Sequence, residues 1–298
     1  MKKKFLAMCM AAVMTVGALT ACGGQAAAPE QGAAAGTDQQ ASKLTARVLD
    51  IDLTTEEYAF GVDKDQPELL EKTNAYIAQI MQDGTFDEIC NKYFGDGTPT
   101  PVVSAKEDAS KDQLLVATNA AFAPFEYMEG ENYLGIDMEI AAGLAEYLGK
   151  ELVIQNMDFD AVCLSIGQHK SDIGMSGLTI KDERREYVAF TDPYYEASQK
   201  LVVRSDNTEF DACNDKDSII QILAAKDATS KVGVQNGTTG QLFCEGDEEW
   251  GFSGFAMTCT GYKNGSLAVQ DLLNGNLDYV VIDSAPAKFI TESINALQ

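Results

Sequence analysis

The chain has 298 residues, 45% hydrophobic and 8% aromatic, an ordinary globular balance that excludes a disordered or fibrous protein. That length exceeds the usual size of one compact core, so two domains, or one domain with two lobes, are expected. A formal net charge of −24 repels nucleic acid and anionic lipid, and the single histidine, His169, rules out an H-E-x-x-H zinc site and makes any Ser-His-Asp triad depend on one ring.

Residues 1–21 carry three lysines and then an apolar run from Phe5 to Ala18, too short to span a bilayer, and read as an export signal. The sequence Leu19-Thr20-Ala21-Cys22 resembles the lipobox of bacterial lipoproteins, which implies cleavage before Cys22 and lipidation of that cysteine. Residues 22–43 are rich in Ala, Gly and Gln, lack an apolar period and read as a flexible tether, so the fold is expected to begin near Leu44. Cys90, Cys163, Cys213, Cys244 and Cys259 remain, an odd number without C-x-x-C spacing, so at least one thiol is expected to stay unpaired or to pair between chains. For Cys90 and Cys163 the expectation is buried apolar packing.

Residues 46–52 and 58–63 have strand-like spacing. Pro67 opens a helix in which Leu70, Ile77 and Met81 recur near helical spacing and Gly84 ends it. Thr85 and Glu88 form a T-x-x-E capping box for a short helix ending near Phe94. Residues 95–112, with two prolines, two glycines and no apolar period, read as a linker. A second unit follows: a strand at 113–119, a helix at 136–149 with Ile140, Leu144 and Leu148 on one face, and strands at 151–157 and 172–178. After the apolar K-L-V-V-R of residues 200–204 come a polar surface loop at 205–217, a strand at 230–235 and a helix after Thr239. A strand at 254–260, a helix around 267–273 and a strand at 278–283 complete an alternation that indicates α/β architecture.

Residues 118–150 (T-N-A-A-F-A-P-F-E-Y onward), M-D-F-D-A-V at 157–162 and S-G-L-T-I-K-D-E-R-R onward at 176–203 resemble family 3 extracellular solute-binding proteins, the polar amino acid receptors of ABC importers. The resemblance continues through K-V-G-V-Q-N-G-T-T-G-Q at 231–241 and L-L-N-G-N-L-D-Y-V-V-I-D-S-A-P-A-K-F at 272–289. Residues 46–94 resemble that family's usual C-terminal segment, here at the wrong end of the chain. The implied fold is α/β, a two-lobed type II periplasmic-binding-protein fold with two hinge strands, circularly permuted. Its first lobe would span 55–196, including the joining linker 95–112, and its second lobe 44–54 plus 197–298. The chain would cross between lobes near 53–57 and 196–201, and 18 linker residues reach up to roughly 60 Å, ample for joining the former ends.

A free amino acid carries a carboxylate and an ammonium about two bonds apart, so its receptor needs a cation and an anion converging on one small volume. Arginine suits the first task because its planar fork meets both carboxylate oxygens. By the resemblance, Arg184 takes the carboxylate together with the backbone of Thr179 and of Thr239 at a helix start, while Arg185 points elsewhere. The ammonium meets Asp283, the Gly177 carbonyl and the Thr179 hydroxyl; Asp283 also reads as an N-cap for the helix after it. Phe122 and Phe159 match the aromatic walls around the ligand side chain. Asn119 stands where the family often has an aspartate, which weakens the case for a basic ligand. His169 matches a surface turn with no chemical role.

The implied protein is a non-enzymatic, extracytoplasmic receptor, monomeric and free of cofactors and metal, held at the membrane only by lipid on Cys22. It would close around a polar amino acid and present it to an ABC transporter permease. An uncharged polar or sulfur-containing ligand is expected, with arginine the main competitor. The rivals are a dehydratase or hydrolase on the same fold, without a G-x-S-x-G motif in support, and a ligand-sensing or adhesive lipoprotein.

Overall fold

The computed structural model describes residues 44–298; the expected signal peptide, the tether and Cys22 lie outside the described residues. The described chain opens with three short strands, β1 (Ala46–Val48), β2 (Glu56–Tyr58) and β3 (Gly61–Asp63), followed by helices α1 (Pro67–Asp83) and α2 (Thr85–Phe94). Pro67 fits the first turn of α1, where its missing N–H leaves no hydrogen bond unmade. The buried face of α1 is Leu69, Thr73, Tyr76, Ile77 and Ile80, whereas Leu70 is half-buried and Met81 exposed, so the expected Leu70/Met81 stripe is off by one residue. Thr73 hid the true stripe: a polar residue sits inside it because its hydroxyl is satisfied by the Leu69 carbonyl at 2.8 Å.

The capping box expected at Thr85 does not form. Gly84, at φ 86°, ends α1 and caps α2, which draws Thr85 into the helix, and the Thr85 N–H instead meets the Asp83 carboxylate at 3.0 Å. Residues 95–112 are irregular but docked. Val102 is buried and exchanges backbone hydrogen bonds with Tyr133 at 2.8 and 3.0 Å, and the Ala105 N–H reaches Leu152 O at 2.9 Å.

The chain continues through β4 (Gln113–Thr118) into a meander of β5 (Ala121–Phe122), β6 (Glu126–Glu129) and β7 (Asn132–Leu134), which the sequence pattern did not reveal. Next come α3 (Ile136–Leu148), β8 (Glu151–Asn156), and a 3-10 turn (Phe159–Ala161) running into α4 (Val162–Gly167). They are followed by β9 (Ile173–Gly174), α5 (Asp182–Arg185) and β10 (Val188–Phe190). The strand expected over 172–178 is only two residues long, and the chain turns three residues later at Gly177, φ 52°.

The remainder comprises β11 (Tyr195–Ala197), β12 (Gln199–Arg204), α6 (Lys216–Ala224), β13 (Lys231–Gln235) and α7 (Thr239–Glu245). It ends with β14 (Thr258–Tyr262), α8 (Gly265–Leu273), β15 (Tyr279–Asp283) and α9 (Ser284–Ala296). The expected polar loop gives way to α6, which starts on a capping box of Asp215 and Ser218 and buries Ile219 and Leu223.

Two five-stranded sheets share one plan, β10-β3-β9-β4-β8 in the first and β1-β12-β15-β13-β14 in the second. In each, three adjoining parallel strands (β9, β4, β8; β15, β13, β14) are extended by two antiparallel ones. β1 lies on β12 with Ala46 opposite Arg204, and β3 lies between β10 and β9 with Gly61 opposite Phe190 and Gly174. Residues 46–48 thus join the second sheet and residues 61–63 the first. Strands β2 and β11 form a ribbon of their own, with Tyr58 opposite Tyr195. Through this ribbon the described chain passes between the sheets twice, from β1 to β3 and from β10 to β12.

Every residue of β15 is buried, since α6 and α7 cover one face of its sheet and α8 and α9 the other. That is why Y-V-V-I-D reads as an unbroken apolar run. The five described cysteines are free; Cys244 is buried, while Cys90 and Cys163 are only half-buried and pack at core edges. Among the described residues no helix is long and apolar enough to cross a membrane.

Candidate functional site

Loops at the carboxyl ends of the parallel strands of both sheets converge on one small space beside the β2–β11 ribbon, the position where open α/β sheets bind ligands. Phe122, Phe159, Gly177, Thr179, Arg184, Thr239 and Asp283 line it, together with Gln235 and Thr238, and enclose about 10 Å³. That is room for about one water. An amino acid does not fit in that space as it stands.

Arg184, on α5, is buried and belongs to no ion pair among the described residues. Its guanidinium donates to Thr179 O at 2.9 Å and, across the cleft, to Gly237 O at 3.0 Å, and lies 5.3 Å from the half-buried Phe159 ring. Five N–H donors are not exhausted by two carbonyls, so this fork retains capacity for an anion. Arg185 is exposed and turns to Asp182 and the Phe190 ring.

Asp283 is buried at the end of β15 and accepts the Tyr58 hydroxyl at 2.5 Å. It stands at the N-cap of α9 without making a side-chain cap bond, so the carboxylate faces the site. Burial, and after it the neighbouring Glu56 carboxylate, raise its pKa to about 7, against hydrogen bonds from Tyr58 and Gln199 that favour the charged form. Gly177 has φ 52°, and a Cβ there would stand 3.1 Å from Phe122, so any other residue would be strained where the loop passes that ring. Its N–H donates to Asp137 at 2.9 Å.

Asn119 is buried just outside the lining. It donates to Met157 O at 2.7 Å and accepts from Gln235 Nε2 at 3.0 Å, joining the first sheet's loops to β13. Gln235 Oε1 is left buried with no hydrogen-bond partner among the described residues. Sequence reasoning missed Gln235, although it ends the quoted K-V-G-V-Q motif, and it missed Glu56. Glu56 is 4% exposed and accepts the hydroxyls of Thr179 and Thr239, each at 2.7 Å. The exposed His169 lies apart, with Nδ1 2.8 Å from the buried Asp63.

A second contact across the cleft lies beside the site. Lys181, its side chain 1% exposed, meets Asp247 at 2.9 Å and Glu249 at 2.8 Å, with its ammonium 4.4 Å from the Trp250 ring. Removing Lys181 would leave the buried Asp247 without its cation. Lys181→Ala is therefore expected to shift the protein toward an open form, read as a larger radius of gyration in small-angle scattering. An unchanged radius would show that the pair does not hold the halves together.

The model of bacterial extracellular solute-binding proteins, family 3, matches residues 10–96 and 114–285. The arginine-binding extracellular protein ArtP of Bacillus subtilis is 34% identical over 196 residues, 64% of this chain and 69% of that protein. The histidine-binding periplasmic protein of Salmonella typhimurium is 29% identical over 180 residues, 60% of this chain and 64% of that protein. Among solved structures, the ancestral amino acid-binding protein AncCDT-1, a precursor of cyclohexadienyl dehydratase, is 29% identical with a TM-score of 0.52, covering 61% of this chain and 75% of that one. With the family model spanning most of its length, the chain belongs to the family 3 bacterial extracellular solute-binding proteins and has their type II periplasmic-binding-protein fold.

Proposed function

We propose that this protein is the substrate-binding component of an ABC importer and holds a polar amino acid between two closing lobes. The observation that carries this reading is the convergence, from opposite sheets, of Arg184, buried and without an ion-pair partner among the described residues, and a buried Asp283 on one enclosed space. Arg184 with the backbone of Thr179 and Thr239 would take the ligand carboxylate; Asp283, the Gly177 carbonyl and the Thr179 hydroxyl would take the ammonium. Relatives named for arginine and histidine binding support an amino acid as the ligand. An uncharged polar side chain between Phe122 and Phe159 is favoured, with arginine the main competitor. The unpartnered Gln235 Oε1 favours side chains bearing an N–H donor over sulfur-containing ones.

The reading includes a first lobe of 55–196 and a second of 44–54 plus 197–298, joined at the β2–β11 ribbon. It includes a circular permutation through linker 95–112, a segment that the family match skips between 96 and 114. Lipidation at Cys22, a monomeric state, a position outside the cytoplasmic membrane and a permease partner that recognises the closed form belong to it as well.

The test is a thermal-shift screen of the twenty amino acids on the chain from Leu44. One or a few polar amino acids are expected to raise the melting temperature by several degrees. Stabilisation by none of them would overturn the reading. Because one structural neighbour is a dehydratase precursor, the same samples assayed for turnover of the stabilising compound distinguish a receptor from an enzyme.

A further inference from the structure

Glu56 sits on the ribbon strand β2, between the two sheets, and is buried without an ion-pair partner among the described residues. Its Oε1 accepts from Thr54 Oγ1 at 2.5 Å, and its Oε2 accepts from Thr179 Oγ1 and Thr239 Oγ1. Thr179 follows β9 of the first sheet, and Thr239 opens α7 after β13 of the second. A single carboxylate oxygen therefore holds one hydroxyl from each side of the cleft, a geometry available only when the halves are closed. A buried carboxylate with hydroxyls alone for partners is costly, and a ligand cation would relieve that cost.

We propose that Glu56 is an affinity-determining residue of the ammonium subsite, supplying a second negative charge beside Asp283 and fixing the Thr179 hydroxyl as an acceptor toward the ligand. This deepens the amino acid reading and rests on it. A hydroxyl has one proton; with that of Thr179 spent on Glu56, only its lone pairs remain for a neighbour, and an ammonium offers donors alone. The Thr239 hydroxyl is committed on both sides, donating to Glu56 and accepting Gln199 Nε2 at 3.1 Å, so it acts as a clasp between the halves.

The proposal has a pH signature. Asp283 faces Glu56 and Tyr58 from β2 and Gln199 from β12, with Arg184 of α5 lining the same space and Glu126 of β6 farther off. Its pKa is about 7, so part of the site holds a proton that an arriving ammonium must displace. Affinity should be level above that value and fall toward tenfold per unit of pH below it, while the ligand stays zwitterionic between roughly pH 5 and 7. Removing the Glu56 charge removes one cause of the raised value, which moves the fall to lower pH.

The experiment is calorimetric titration of the chain from Leu44 with L-glutamine and L-arginine across that range, on wild type, Glu56→Gln and Glu56→Asp, with melting curves to establish folding. Glu56→Gln is expected to bind about tenfold more weakly near pH 7.5, a deficit of 1.4 kcal/mol, and the deficit should shrink as the pH is lowered. Glu56→Asp keeps the charge but is one methylene shorter; it should retain the wild-type pH profile while losing affinity through the broken clasp. Wild-type binding with no change in either variant, or a Glu56→Gln loss equal at every pH, would overturn the role of Glu56 and leave the receptor reading standing. Stabilisation of the wild type by none of the twenty amino acids in the thermal-shift screen would overturn both.

Discussion

Arg184→Ala is expected to abolish measurable amino acid binding while leaving the fold intact. The fork of Arg184 is the cation lining the enclosed space, and the acids that line or adjoin it, Asp283 and Glu56, would repel a carboxylate left without it. Truncating one partner of a desolvated charge pair costs ~2–5 kcal/mol. At 1.4 kcal/mol per tenfold, affinity should drop by one to more than three orders of magnitude. The folded state loses little: Arg184 bonds two carbonyls, of Thr179 and Gly237, and leaves no acid stranded when it goes. Melting of the ligand-free variant should therefore stay near wild type, while the ligand-induced rise disappears. Arg184→Lys should not restore binding, because a point charge with rotating donors cannot replace a planar fork that also spans the cleft to Gly237. Unchanged affinity in calorimetry would move the carboxylate subsite elsewhere.

The larger features of this molecule were legible in its sequence because they rest on patterns repeated over many residues. Alternating strands and helices specify α/β architecture, and the run Y-V-V-I-D announces a strand covered on both faces, as β15 is. Features set by single tertiary contacts were not legible. Thr73 reads as polar, yet it belongs to the core face of α1 because its hydroxyl bonds back to Leu69. Thr85 and Glu88 satisfy a capping pattern, but two helices meeting at one glycine leave no room for the cap. Of the residues lining the enclosed space, those inside a dense motif, such as Arg184 and Thr179, already stood out as candidates. Glu56 could not. In T-T-E-E-Y its charge reads as a solvated face, and only the approach of two threonines from different sheets makes it a buried carboxylate.

A chain beginning at Gln113 is expected to be insoluble or to lack a cooperative melt, because residues 44–94 supply parts of both sheets. Strand β3 lies inside the first sheet, and without it β10 and β9 lose the partner between them; β1 forms an edge of the second. Phe60, Val62, Leu69, Ile77, Ile80 and Ile89 are buried, and burial of such side chains stabilises by ~1.5–3 kcal/mol each, roughly 9–18 kcal/mol for the six. The surfaces they cover lose burial of the same order, which is comparable with the ~5–15 kcal/mol that holds a typical domain folded. A soluble truncated chain with a sharp melt would show that the segment is dispensable. The converse experiment tests the proposed permutation itself. Asn295 bonds Ala46 in both directions, at 3.0 and 2.8 Å, so Gln298 and Leu44 lie only a few residues from a shared contact and a short bridge can join them. Opening the chain at the exposed turn of residues 108–111 then leaves Val102 docked against Tyr133. Because the new break lies outside the site and the β2–β11 ribbon is untouched, the reconnected protein should rank the amino acids as the original does. A changed ranking would mean that chain order, and not only the assembled fold, sets the site.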